Sequence, residues 1–260
     1  MNADVTLLEV AGAAALVGVA IAVSLWQRVD LEADIALAAA RAFVQLTAVG
    51  YVISFIFDQE GLGYVVALLT VMIGVGALTA RHRARAVPGV LWPLVLALTL
   101  AAVSTLGLVV ALGVFDAEAR FLVPVGGMVI GNAMTASAVA LNRLGDEVQA
   151  SARTIEATLA LGATSGHAIR PIVRRALRSG LIPLIDQTKT TGLVAFPGVM
   201  VGSLLAGAEP VDAVRIQLIL LYTLLGAVAV ATLTAMALAA RNFFTADHQL
   251  REPEPADPPR

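Results

Sequence analysis

The sequence predicts an all-α integral membrane protein with about seven transmembrane helices, the N-terminus outside and the C-terminus inside. Three observations carry this. Of 260 residues, 58% are hydrophobic and only 14% charged, where a soluble domain holds about 45–50% and about 25%. The mean hydropathy is +0.86, and the apolar residues gather in stretches near the 20 or so needed to cross a bilayer. The basic residues are confined almost entirely to alternate connections. A formal net charge of −2 gives no sign of nucleic-acid binding, and the absence of cysteine excludes disulfides, thiolate metal sites and a cysteine nucleophile.

Taken in order, the expected spans are 5–26, 36–57, 62–80, 88–113, 121–142, 181–206 and 213–240. The first is expected to be retained, because Asp4 and Glu9 stand where a cleaved signal would carry basic residues. Arg28 follows span one; Arg81, Arg83 and Arg85 follow span three; Arg143, Arg153, Arg170, Arg174, Arg175 and Arg178 follow span five; Arg241, Arg251 and Arg260 follow span seven. Against these 13, the opposite connections hold only Arg120, with seven acids: Asp4, Asp58, Glu60, Asp116, Glu118, Glu209 and Asp212. Positive loops stay cytoplasmic, which sets the expected orientation; a multi-pass protein of the plasma (inner) membrane is expected. Residues 1–245 are read as one transmembrane domain and 246–260, with Glu-Pro-Glu-Pro, as a disordered cytoplasmic tail.

The one sizeable cytoplasmic segment, 143–180, is amphipathic. Leu144, Val148, Ile155 and Leu159 recur at helical spacing, with Asp146, Glu147, Arg153 and Glu156 elsewhere around the helix. Gly162 suits a helix C′ position, and Thr164 or Ser165 suits the cap of a second short helix, with Pro171 in its first turn or at a kink. Such a helix pair suits docking to a protein, or lying on anionic lipid through its arginines.

The run Glu156-Ala157-Thr158-Leu159-Ala160-Leu161-Gly162, with Ile172 ten residues on, resembles the EAA coupling loop of ABC-transporter permeases; Arg174 and Arg175 stand where that loop ordinarily has Leu-Pro. Longer runs are similar to the FetB/YbbM-type permease family: Gly127 to Met134, Ala140 to Leu144, Ala176 to Pro183, Lys189 to Met200 and Arg41 to Leu46. This resemblance implies the permease subunit of an ABC-type exporter, linked in bacteria to iron efflux and oxidative-stress resistance and in plants to aluminium tolerance and UDP-glucose. It implies a separate ATPase subunit that binds ATP and Mg, with Glu156, Ala157, Gly162 and Ile172 at the coupling surface.

The residues themselves agree with a separate motor. No G-x-x-x-x-G-K-[ST] occurs, and the single lysine, Lys189, follows Thr188, so the chain has no P-loop and is not expected to be an enzyme or to hold a cofactor. A paired ATPase needs two coupling loops and this chain offers one, so a homodimer in membrane lipid is expected.

Charges inside a bilayer are expensive and invite a functional reading. Asp186 and Lys189, three residues apart, can pair about 8 Å into the membrane from Leu181, as a gate or as a neutralised snorkelling lysine. Arg41 and Gln45 read as an anchor. A substrate path along spans five and six would use Met128, Asn132, Met134 and Thr135, then Asp186, Lys189, Met200 and the break expected at Pro197-Gly198. Gly127 with Gly131 and Gly198 with Gly202 form two G-x-x-x-G pairs suited to close helix packing. The metal ligands stay unknown: His82, His167 and His248 all fall in cytoplasmic loops or the tail. Iron is the expected cargo; a nucleotide sugar, another metal or a proton-coupled secondary transporter are the alternatives.

Overall fold

The structure, a computed structural model, describes residues 7–57 and 61–251. Among them are nine helices and no strand longer than an isolated bridge. Asp4, Asp58, Glu60 and the run 252–260 lie outside the described residues. The chain divides into two compact units, 1–60 and 61–260.

The first unit is a helical hairpin of α1 (Leu7–Gln27) and α2 (Glu32–Phe57). Its turn places Arg28 and Asp30 at φ 52° and 58°. Ser24, buried at the end of α1, makes that turn possible: its hydroxyl donates to Glu32 Oε2 (3.1 Å) and accepts from the Leu31 N–H (3.1 Å). Arg41 and Gln45 are both exposed on α2.

The second unit holds α3 (Leu62–Arg83), α4 (Leu91–Ala111), α5 (Ala119–Ala150), α6 (Ala152–Ala160), α7 (Ser165–Thr190), α8 (Gly198–Leu205) and α9 (Pro210–Arg241). α5 is its spine and packs on α3, α4, α7 and α9. The core is built from small residues, among them Ala77, Ala97, Ala133, Ala231 and Ala235, between Leu98, Leu141 and Met236. In lipid no hydrophobic force drives helices together, so association rests on van der Waals contact, and alanine lets backbones come close. Asn242, just past α9, donates to the carbonyls of Pro88 (3.0 Å) and Gly89 (3.3 Å) in the α3–α4 connection. The loops expected to be cytoplasmic thus meet at one end of the unit.

Among the described residues, five helices are long and apolar enough to cross a membrane: α2, α3, α4, α5 and α9; the apolar part of α1, Gly12–Gln27, is shorter. The expected sixth span, 181–206, is not one helix. α7 ends at Thr190, residues 191–197 form an irregular turn, and α8 at eight residues reaches only about 12 Å. Gly192, at φ 84°, and Pro197, which disfavours helix in the residue before it, account for a break longer than the Pro-Gly interruption expected. The second coupling helix and the start of span six are instead one continuous helix, with Pro171 and Pro183 inside it. Residues 243–251 form a small hairpin: Thr245 N–H bonds Gln249 O (2.9 Å), Arg251 N–H bonds Phe243 O (2.8 Å), and Phe243 and Phe244 are buried.

Candidate functional site: a coupling surface and a membrane path

α5 runs eight residues past its expected end at Asn142, which carries the chain to α6 without a loop. α6 is short and amphipathic: Ile155 is buried, while Glu156 and Ala157 on the opposite side are exposed. The helix closes at Gly162, whose φ of 87° suits a residue without Cβ; its N–H bonds Leu159 O and the next N–H bonds Thr158 O. Thr164 then caps α7, its hydroxyl accepting from the His167 N–H (3.4 Å). This turn lifts Leu161 into the open, 90% exposed. Ile172, expected at the docking surface, is buried in the core and holds α7 in place instead.

The hairpin at 243–251 leans on the same turn. Ser165 Oγ lies 2.9 Å from His248 Nδ1, and a shallow cleft of about 340 Å³ opens between Glu156, Leu159 and Ala163 on one side and Asp247 to Leu250 on the other.

A contact absent from the sequence expectations joins α5 to α7. Glu147, only 8% exposed, accepts from Arg143 Nε at Oε1 (2.8 Å) and from Arg175 Nε and Nη2 at Oε2 (both 2.7 Å). Arg175 is one of the two arginines replacing Leu-Pro, so the departure from the EAA pattern has a structural role. The signal was present: Glu147 follows Leu144 by three residues and so shares its buried face, and Arg143 to Glu147 is an i,i+4 pair.

Along the expected path, Met128 and Met134 are half-buried against the core. Asn132 Nδ2 donates to Met128 O (2.8 Å) and Thr135 Oγ1 to Gly131 O (3.0 Å), so both satisfy their own helix. Asp186 and Lys189 form the expected pair at 3.1 Å and remain exposed. Met200 and Pro197 are half-buried and Gly198 exposed beside the break. Among the described residues no group of three His, Asp or Glu could hold a metal ion.

The glycines divide sharply. A Cβ on Gly127 would meet Met72 Cε at 2.9 Å, so that residue serves α3–α5 packing, whereas Gly131, Gly198 and Gly202 face open space. The tightest approach to backbone is at Gly180, where a Cβ would lie 2.6 Å from the Ala136 carbonyl oxygen and 2.8 Å from Ala140 Cβ.

Residues 7–244 match the model of the uncharacterised protein family UPF0014. The chain belongs to the UPF0014 family. Curated members of UPF0014 align over nearly their whole length. The chain is 38% identical to UPF0014 membrane protein STAR2 of Oryza sativa subsp. japonica over 248 residues, 95% of this chain and 87% of the relative. It is 37% identical to Protein ALUMINUM SENSITIVE 3 of Arabidopsis thaliana over 92% of this chain and 88% of the relative. It is 33% identical to the Escherichia coli (strain K12) protein named probable iron export permease protein FetB, over 95% of both chains. No solved structure matches. With its long apolar helices, this UPF0014 chain is a multi-pass membrane protein.

Proposed function

We propose that the chain is the membrane-spanning permease subunit of an ABC-type exporter in the plasma (inner) membrane, working as a homodimer with two copies of a separate ATPase that binds ATP and Mg. The observation that carries this reading is the α6–α7 turn. It leaves Glu156, Ala157 and Leu161 exposed between α5 and α7, and in this reading that turn faces the cytoplasm. A partner gripping the turn would move both helices at once, which is how a motor without membrane contact can drive a path. The chain itself is not an enzyme in this reading, as it lacks a P-loop.

Iron is the proposed cargo, supported by 33% identity to the relative whose name carries iron export. With no metal-ligand cluster among the described residues, the ion would pass by weak, transient contacts or as a chelate. A second reading, export of another metal by the same architecture, is supported by the name of the relative called ALUMINUM SENSITIVE 3.

The test is ATP hydrolysis by the co-purified complex in liposomes. Glu156→Arg, at an exposed position that should leave folding within about 0.5 kcal/mol of the native chain, is expected to cut ferrous-iron-stimulated hydrolysis at least fivefold. Unchanged stimulation would remove the turn from the coupling path.

A further inference from the structure

α7 shows two faces. Ile169, Ile172, Ala176, Gly180 and Leu184 are buried, while Arg170, Arg174 and Arg178 are exposed on the side turned away from them. At four-residue spacing these arginines form a stripe, with roughly 6 Å between neighbours along the axis. Among the described residues none of the three has an acid within ion-pair distance. Arg175 differs: it is turned about 100° from Arg174 and its guanidinium is engaged by Glu147.

The exposed face then changes character. Beyond Gly180 it continues with Ile182, 40% exposed, and Ile185, 37% exposed. α5 runs alongside in the opposite direction, with Glu147 on Arg175 and Ala140 against Gly180. Between those two contacts it passes from Leu141 to the polar run Asn142, Arg143, Asp146 and Glu147. At 32 residues α5 is about 48 Å long, more than a hydrocarbon core of about 30 Å, and its polar end is the part that emerges. Two packed helices that change from polar to apolar at one level mark a boundary. The arginine stripe lies on its aqueous side and the isoleucines on its hydrocarbon side.

We infer that this face of α7 is a binding site for an anionic phospholipid, whose phosphate lies among Arg170, Arg174 and Arg178 and whose acyl chains run along Ile182 and Ile185. The chemistry of the face selects the ligand. Guanidinium groups hold phosphate oxygens through paired N–H donors. With no acid beside them, three like charges at successive turns repel one another until an anion binds. Free phosphate answers the arginines and leaves the isoleucines bare. A phospholipid is anionic at one end and hydrocarbon at the other, in the order the face presents. This site stands on the fold alone and does not need the permease reading.

The test uses the full chain in neutral detergent, mixed with equal amounts of phosphatidylglycerol and phosphatidylcholine of the same chain length. A basic residue near an anionic lipid surface contributes roughly fivefold in binding, so the native chain is expected to retain phosphatidylglycerol at least tenfold over phosphatidylcholine. Arg170→Gln, Arg174→Gln and Arg178→Gln together should bring that ratio near one, and Arg174→Gln alone should lower it at least twofold. Unfolding midpoints in detergent alone should not move, because these side chains are exposed and unpaired. Removing as many charges from the end of α3, with Arg81→Gln, Arg83→Gln and Arg85→Gln, should leave the ratio above half its native value. Inorganic phosphate should displace little of the bound lipid. Equal loss in the two triple variants would mean diffuse positive charge and no site. A native ratio near one, the result if an acidic protein surface covers the stripe instead, would overturn the inference, as would full displacement by inorganic phosphate.

Discussion

Gly180→Leu is expected to push α7 off α5 and to destabilise the chain strongly. The atom a side chain would meet first is the Ala136 carbonyl oxygen, at 2.6 Å, with Ala140 Cβ at 2.8 Å. Neither is the free end of a flexible side chain, so the helices themselves must separate. Overpacking in well-filled interiors costs about 1–3 kcal/mol and more where backbone must move; about 3 kcal/mol lowers the unfolding midpoint of a domain this size by roughly 6–12 °C. Gly131→Ala is the control. It faces open space, and alanine raises helix propensity, so its midpoint should stay level or rise slightly. Thermal unfolding of the detergent-solubilised chain separates the two outcomes, and a Gly180→Leu midpoint equal to that of Gly131→Ala would show that the α5–α7 contact is not tight.

Glu147→Ala is expected to release the same helices from one another near α6. The substitution removes two ion pairs and leaves Arg143 and Arg175 facing one another with no acid between them. Breaking a fully buried pair costs about 3–5 kcal/mol. Both arginines are more than half exposed, so solvent screens them and about 2 kcal/mol is the better expectation. The functional effect should exceed the loss of stability. With the clamp gone, α7 can move without α5, so ATP hydrolysis by the complex should persist while its stimulation by ferrous iron falls several-fold. Retained stimulation with a native midpoint would reduce Glu147 to a surface acid.

The membrane class and the helix end at Gly162 were legible because they depend on local signals: apolar stretches of bilayer length, and a glycine after an amphipathic repeat. The sixth span was misread for a physical reason. Hydropathy averages over a window, so the apolar run Gly192 to Leu205 hid a turn that Gly192 and Pro197 impose on the backbone. Likewise, the low hydropathy of Arg170 to Arg178 suggested a separate helix, yet nothing between Arg178 and Leu181 stops α7.

Among site residues, the Asp186–Lys189 pair was readable from its i,i+3 spacing. Ile172 fell on the wrong side. Its place in a family motif says nothing of which face of α7 is buried, and packing against the core decides that. Glu147 was overlooked because its second arginine comes from a helix 28 residues away in sequence.

The central claim, that this chain carries iron outward using ATP hydrolysed by a partner, is tested most directly by ferrous-iron uptake into proteoliposomes holding the permease and ATPase subunits with the ATPase facing the outside. The account predicts that iron accumulates in the vesicles only when ATP and Mg are added, that ADP does not replace ATP, and that a pH gradient alone moves nothing. Accumulation driven by the pH gradient without ATP, or ATP hydrolysis with no iron movement, would contradict it.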